Sequence, residues 1–296
     1  MASEKFEKFL ALVRKVPPPA QVDHQRMRVN LDRTGGRFPD GVVGTPVVAG
    51  GVPAEWIDPA GGVTDRVVLY LHGGGYVAGS IDSHRNLTGH LARAMGCRVL
   101  ALDYRLAPEH PHPAPIEDAV AVYRWLIGLG TAAQHVMIAG DSAGGGLTIA
   151  MLLMARDQGL SLPAVAVPIS PLVDLEATGE SMTTRAGTDP MISRSMLLQI
   201  VQLFIGDGDR HDPYAAPLHG DLSGLPPLLI QVGDAEVLLD DATRLAATAR
   251  AVGVDVTLEV WPEMVHVFQA SAGFVPEADE AIAHIAAFCR PKLGLS

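Results

Sequence analysis

Six short apolar runs recur along the chain, at 67–71, 99–102, 136–139, 165–169, 228–232 and 254–260, with segments of helical spacing between them. Each run is leucine-rich or β-branched and is bounded by glycine, proline or a polar turn. Apolarity that is continuous rather than alternating predicts strands covered on both faces, as parallel strands are when crossover helices flank the sheet. The intervening segments 83–95, 114–127, 143–157, 240–252 and 277–288 predict those helices. In the last, Ala281, Ile282, Ile285 and Phe288 recur at helical spacing. The pattern predicts an α/β fold around a mostly parallel sheet. Two stretches break the rhythm. Residues 1–45 hold one amphipathic helix, over 1–16, and then a passage rich in proline and glycine (Pro17, Pro18, Pro19, Gly35, Gly36). They read as a separate N-terminal segment ahead of a main domain at 46–296. Residues 177–224 lie between two strands and contain a further helix at 193–204; an insertion of this length in an α/β domain often covers a site.

Composition narrows the partners. Lysine and arginine number 22 against 33 acidic residues, a net charge of −11, and there is no basic stripe of the kind that displaces counterions from nucleic-acid phosphates. Such a balance suits a neutral ligand. The two cysteines, Cys97 and Cys289, are too few for a disulfide scaffold and read as buried thiols in a reducing compartment. Glu4, Lys5, Glu7 and Lys8 interrupt the apolar run that a signal peptide would need, and no stretch approaches the ~20 apolar residues of a membrane span. The expected location is the cytoplasm.

Gly140-Asp141-Ser142-Ala143-Gly144 follows the run at 136–139 and opens a helical segment. In that strand–turn–helix setting, G-x-S-x-G holds a serine on a tight turn at a helix N-terminus, where the dipole favours developing negative charge. His72-Gly73-Gly74-Gly75-Tyr76 follows the run at 67–71. Consecutive glycines let backbone N–H groups approach a ligand, and with Ala143 the N–H groups of Gly74 and Gly75 are the candidate donors to an oxyanion. The endings that mark phosphate-binding glycine loops are absent. A serine hydroxyl needs a base, and of eleven histidines His266 has the best setting, a loop just after the last apolar run. His284 falls within a helix, and His24, His90, His135, His211 and His219 have no supporting context. A carboxylate should hold the histidine. Asp234, Glu236, Asp240 and Asp241 follow the run at 228–232; Asp240 and Asp241 suit a helix start, and local sequence leaves Asp234 and Glu236 even. No metal or cofactor is called for. His110-Pro111-His112 lacks a third ligand at recognisable spacing, and a calcium loop beginning at Asp207 would place Leu218 where an acidic residue is required.

These motifs, in this order, resemble the hormone-sensitive-lipase family of α/β hydrolases, the bacterial family IV esterases, over roughly residues 65–290. His72 to Tyr76 match its HGGG-type segment, Tyr104 to Pro111 its YRLAPEHP stretch, and Gly140 to Gly145 its GDSAGG elbow. Asp212-Pro213-Tyr214 and Gly224-Leu225-Pro226-Pro227 are similar to its later landmarks. The family's triad acid heads a D-x-L-x-D stretch thirty residues before the histidine; here that head is Glu236, a departure from aspartate that keeps Asp234 as the alternative. The resemblance implies the α/β-hydrolase fold: an eight-stranded, mostly parallel sheet flanked by helices, with a helical cap from the N-terminal segment and the 177–224 insertion. It implies hydrolysis of short- to medium-chain acyl esters by Ser142, Glu236 and His266, a small-molecule ester as partner, and pairing of chains into a homodimer through the sheet edge. His72 and the 104–111 stretch would support the oxyanion loop. Met191, Met196, Leu197, Ile200 and Leu203 would line an acyl pocket or pack the cap onto the core. Lactone or amide hydrolysis, acyl transfer, or a non-catalytic small-molecule receptor are alternatives on the same fold.

Overall fold

The computed structural model, which describes residues 2–296, realises the alternation of strands and helices as one eight-stranded sheet. The N-terminal segment carries α1 (Glu4–Val13) and α2 (His24–Thr34). The helix expected over 1–16 is therefore shorter, and its expected first residue, Met1, lies outside the described residues. α2 was not anticipated because no residue on it is buried. It is held by polar contacts instead: Arg28 donates to the carbonyls of Val77 and Ala107 and makes a two-pronged ion pair with Glu109.

β1 (Val42–Ala49) and β2 (Val52–Pro59) form an antiparallel hairpin, and β2 pairs antiparallel with β4 (Cys97–Leu102). Neither hairpin strand stood out as an apolar run. β1 is an edge strand with mostly exposed side chains and carries Pro46, a residue that sheets tolerate at their edges. β1 also crosses the boundary drawn after residue 45.

The other pairings are parallel: β3 (Val63–Leu71), β5 (Val136–Asp141), β6 (Val165–Ile169), β7 (Leu228–Gly233) and β8 (Val256–Trp261), in spatial order β1-β2-β4-β3-β5-β6-β7-β8. The crossover helices are α3 (Arg85–Met95), α4 (Ala114–Gly128), α5 (Ala143–Asp157) and α8 (Leu239–Ala251). Short α6 (Ser181–Thr184) and α7 (Arg194–Ile205) lie in the 177–224 insertion, and α9 (Pro276–Cys289) follows the last strand. Successive strand residues feed opposite cores: Val67, Leu69 and Leu71 pack with α4, α5 and α8, while Val68 and Tyr70 pack with α1, α3 and α9. β8 departs from the expectation of two covered faces; it is the second sheet edge, and its residues are half-buried or exposed.

The order of strands decides where a ligand can sit. From β3 the chain steps to β4 on one side, then returns past β3 to β5 on the other. The connections leaving the carboxyl ends of β3 and β5 therefore diverge, and such a switch point opens a crevice at the sheet's carboxyl edge. Leu71 and Gly140 are register partners there, so the segments that follow them emerge side by side.

Candidate active site

β5 ends in the turn that carries Ser142. Its backbone is at φ 54° and ψ −119°, a region that costs a non-glycine residue strain and that persists only when neighbours enforce it. The enforcement is visible. The Ser142 N–H donates to the Ile169 carbonyl at 2.8 Å, and the Ser142 carbonyl accepts from Gly146 and Leu172. The flanking glycines are demanded by packing: a Cβ on Gly144 would lie 1.9 Å from the Leu71 carbonyl oxygen, and one on Gly140 2.3 Å from that of Gly144. α5 starts at Ala143, so the N–H of Ala143 is one of the helix's unpaired first donors, at the carboxyl end of β5.

The segment after β3 supplies the facing wall. Gly74 and Gly75 have φ of 115° and 69°, and the N–H groups of Gly74, Gly75 and Ala143 have no acceptor among the described residues. Tyr104 donates its hydroxyl to the His72 carbonyl at 2.6 Å and stacks on the His72 ring. Burial lowers the His72 pKa to about 3, so this ring is neutral and structural. α7 packs against this loop. Phe204 stacks on Tyr76 with ring centroids 3.9 Å apart, and a Cβ on Gly75 would lie 2.7 Å from Ile200 Cγ2. Leu197 and Ile200 are buried here, while Met191, Met196 and Leu203 are partly buried against the two cores. The N-terminal segment reaches the same helix: Gln199 accepts from the Val22 N–H and donates to the Ala20 carbonyl.

His266 stands in the loop after β8, with Nε2 2.9 Å from Ser142 Oγ and Nδ1 2.7 Å from Glu236 Oε2. The carboxylate forces Nδ1 to carry the proton, which leaves Nε2 as acceptor for the serine hydroxyl. Burial opposes charge on His266, but the Glu236 carboxylate and its hydrogen bond outweigh this and hold the imidazole above the ordinary histidine value. Glu236 is fully buried, and its other oxygen accepts from Ser170 Oγ at 2.8 Å and from the Gly233 N–H at 2.7 Å.

Asp234 does other work. Its Oδ1 accepts from the Glu263 N–H at 2.7 Å and so braces the turn leading to His266. Asp240 exchanges two hydrogen bonds with Ser181, and Asp241 accepts from the Val173 and Asp174 N–H groups. Thus both reach across to other segments although they lie in the first turn of α8.

Several supporting residues had not been singled out. Ser170 sits at φ 43° just beyond β6; it donates to Glu236 and accepts from the Val267 N–H. Asp189 accepts from Val237, next to Glu236, and from Met191 and Ile192 at the approach to α7, joining the acid's loop to the insertion. An aspartate before Pro190 is a turn signal in sequence, but nothing local marks its partner 48 residues away. His112 and Asp212, noted in the sequence for other reasons, pair with each other.

A nucleophile elbow at the switch point, beside a glycine loop and a relayed histidine, defines a serine hydrolase of the α/β class. A family model for the alpha/beta hydrolase fold matches residues 68–270. An acetyl-hydrolase of Streptomyces hygroscopicus is 46% identical over 271 residues, covering 90% of each chain. An esterase of Acinetobacter venetianus is 33% identical over 285 residues, covering 95% of this chain and 94% of its own. A solved esterase from the bacterial hormone-sensitive lipase family superposes with a TM-score of 0.96 at 46% identity, covering 99% of this chain and 100% of that one. The chain belongs to the hormone-sensitive-lipase-like esterases of the α/β-hydrolase family, and it is a carboxylesterase. Among the described residues no helix is long and apolar enough to cross a membrane.

Proposed function

We propose that the protein hydrolyses short- to medium-chain acyl esters through an acyl-enzyme on Ser142, with His266 as base, Glu236 as the acid that orients it, and Gly74, Gly75 and Ala143 as the oxyanion hole. The observation that carries this reading is the unbroken relay from Glu236 through His266 to Ser142 Oγ, at 2.7 and 2.9 Å. As Ser142 Oγ attacks the ester carbonyl carbon, its proton passes to His266 Nε2 and the carbonyl electrons move onto oxygen. That oxygen develops its charge against the three free N–H groups, where each fixed donor is worth roughly 3–4 kcal/mol. Collapse breaks the bond to the alcohol, which leaves with the proton held by His266. Water then repeats the sequence on the acyl-enzyme and restores Ser142.

The short acyl preference rests on two supports. Ile200 is buried against Gly75, which limits the space beside the oxyanion loop. Among similar proteins, one is named an acetyl-hydrolase and another an ethyl acetate hydrolase. We read α7 and the N-terminal segment together as the cap, joined through Gln199.

The test is hydrolysis of p-nitrophenyl esters from acetate to palmitate by the wild type and by Ser142→Ala. The expected result is a rate that peaks at short chains and collapses in the variant. Activity that survives Ser142→Ala would sink the mechanism; a folded protein inert to every ester would turn attention to a receptor role.

A further inference from the structure

Beneath the oxyanion loop lies a buried charged pair that the relay does not use. Asp141, the residue before the nucleophile, is 3% exposed and points back toward β3 rather than toward His266. Its Oδ1 accepts from the Tyr70 hydroxyl at 2.7 Å and from the Gly73 N–H at 3.1 Å. His84, in the 3-10 turn Asp82–His84 that leads into α3, brings Nε2 to 3.2 Å from Oδ1 and 3.3 Å from Oδ2 of the same carboxylate. The approach is close enough that a Cβ on Gly73 would lie 2.2 Å from Asp141 Oδ2.

The protons on His84 can be counted from its neighbours. Ser83 Oγ lies 2.8 Å from the Ser80 carbonyl and 2.7 Å from His84 Nδ1, so its single proton can serve only one of them. The same oxygen accepts from the Ser80 N–H. Nδ1 also lies 3.3 Å from the Ser80 carbonyl, which can only accept, so a proton on Nδ1 has a partner there. On the other side of the ring, Nε2 faces a carboxylate that can only accept. If Nε2 were unprotonated, its lone pair would oppose both Asp141 oxygens and compete with them for the Gly73 N–H, 3.2 Å away. An imidazolium satisfies every partner at once, with Nδ1–H between Ser83 Oγ and the Ser80 carbonyl and Nε2–H on Asp141, and it leaves the Gly73 N–H wholly to the carboxylate.

We propose that His84 is a positioning residue for the oxyanion hole: as an imidazolium it fixes the Asp141 carboxylate that anchors the Gly73 amide, and through Gly73 it sets the aim of the Gly74 and Gly75 N–H groups. The proposal rests on the oxyanion assignment made above. The titratable groups facing His84 are Asp141 on β5, Tyr70 and His72 at the end of β3, and Asp32 on α2, which reaches it through Ser80. Tyr70 and His72 are neutral, because burial raises the first well above the ordinary phenol value and lowers the second. Burial alone would discharge His84, but Asp141 overrides it and holds the ring above the ordinary histidine value. Asp141 is kept low in turn, burial being outweighed by His84. The support is thus present below the raised His84 pKa and is lost as pH rises through it.

The experiment compares wild type, His84→Gln, Ser83→Ala and Ser142→Ala. It reads the pH profile of kcat/KM, the split between kcat and KM, and inhibition by a trifluoromethyl ketone, whose adduct with the serine presents an oxyanion. His84→Gln is expected to lower kcat and inhibitor affinity in step, by about tenfold, with KM changed less than about twofold, and to abolish the alkaline limb. Ser83→Ala removes the nearer acceptor for Nδ1–H and should move the alkaline limb to lower pH while the acid limb, set by His266, stays in place. Unchanged kcat, inhibitor affinity and alkaline limb in His84→Gln overturn the proposal, as does a loss of kcat without matching loss of inhibitor affinity. Should His84→Gln not fold, an unmoved alkaline limb in Ser83→Ala overturns it. With Ser142→Ala dead, these results refute the role of His84 alone; with Ser142→Ala active, the oxyanion assignment falls as well.

Discussion

Glu236 and Asp234 are two residues apart, yet only Glu236 is hydrogen-bonded to His266. The Glu236 side chain turns inward to a site with no exposure, where one oxygen takes the Nδ1 proton of His266 and the other is saturated by Ser170 and Gly233. Asp234 is at the surface end of the same loop and holds the Glu263 N–H. Replacing Glu236 by alanine should therefore lower kcat on the order of 10³–10⁴-fold, because His266 loses the charge that stabilises its protonated form. Asp234→Ala should cost less than about tenfold, as one hydrogen bond in a turn is lost. Steady-state kinetics on a p-nitrophenyl ester separate the two, and the reverse ranking would reassign the acid. Asp241 makes a different prediction. Burial raises its carboxyl from 3.8 to about 7, and its Oδ1 has no hydrogen-bond partner among the described residues. A raised folded pKa means that stability is fully present below the unfolded value and is lost as pH climbs through about 7. Asp241→Asn keeps an oxygen for the Val173 and Asp174 N–H groups without the cost of ionisation. It should raise stability at about pH 8.5 by up to a few kcal/mol and give a smaller gain at about pH 5, where only part of the loss has accrued. Urea unfolding at the two pH values checks this; an equal effect at both would show that Asp241 does not titrate in the fold.

Among the elements, α7 packs directly on the glycine loop. Its N-cap Ser193 starts the helix by accepting from the Met196 N–H, and its buried face sets Ile200 over Gly75 and Phe204 over Tyr76. The helix is tied down at several points: Gln199 to the N-terminal segment, Arg194 to the Ala177 carbonyl, and the Phe204 carbonyl to the His112 N–H. Truncating Ile200 should open space beside the oxyanion loop without moving the relay. Ile200→Ala is expected to shift the ratio of kcat/KM for hexanoate over acetate upward by roughly tenfold, about the discrimination that one or two methylene groups supply in an apolar pocket. An unchanged ratio in the p-nitrophenyl ester series would place the acyl chain elsewhere. α5 differs in kind. It is buried along nearly its whole length, between the sheet and α4, and its glycine-rich first turn lets it approach β3. Mutations there should act on folding before they act on selectivity.

For the molecule as a whole, two cores on opposite faces of one sheet hold everything in register. Cys97 at the start of β4 and Cys289 at the end of α9 both lie in the core beneath α3 and α9, free and buried, with their thiols pushed up to about 12. Neither should react with a thiol reagent in the native protein, and both should react in guanidinium; a native thiol that reacts at once would mean that α9 lifts from the sheet. Much of this architecture was legible in the chain, because buried parallel strands and their helices write their environment into local apolar pattern. The elbow and the glycine loop were legible for a related reason: a strained turn and a close backbone approach admit few residue types. What escaped were elements held by polar or edge contacts. α2 buries no residue and depends on Arg28; β1 has one paired side and an exposed face. The supports of the site escaped in the same way. His84 lies 57 residues from Asp141, and Ser170 lies 66 from Glu236. The sequence by itself determined the fold class, through the alternation of apolar runs and helical segments, and it pointed to Ser142 and His266, which the structure brings to 2.9 Å. Local sequence left Glu236 and Asp234 even and the family resemblance favoured Glu236; only the tertiary structure set Glu236 against His266 and joined His84 to Asp141, because hydrogen bonds between distant segments depend on how the strands are ordered in space and leave no local periodicity behind.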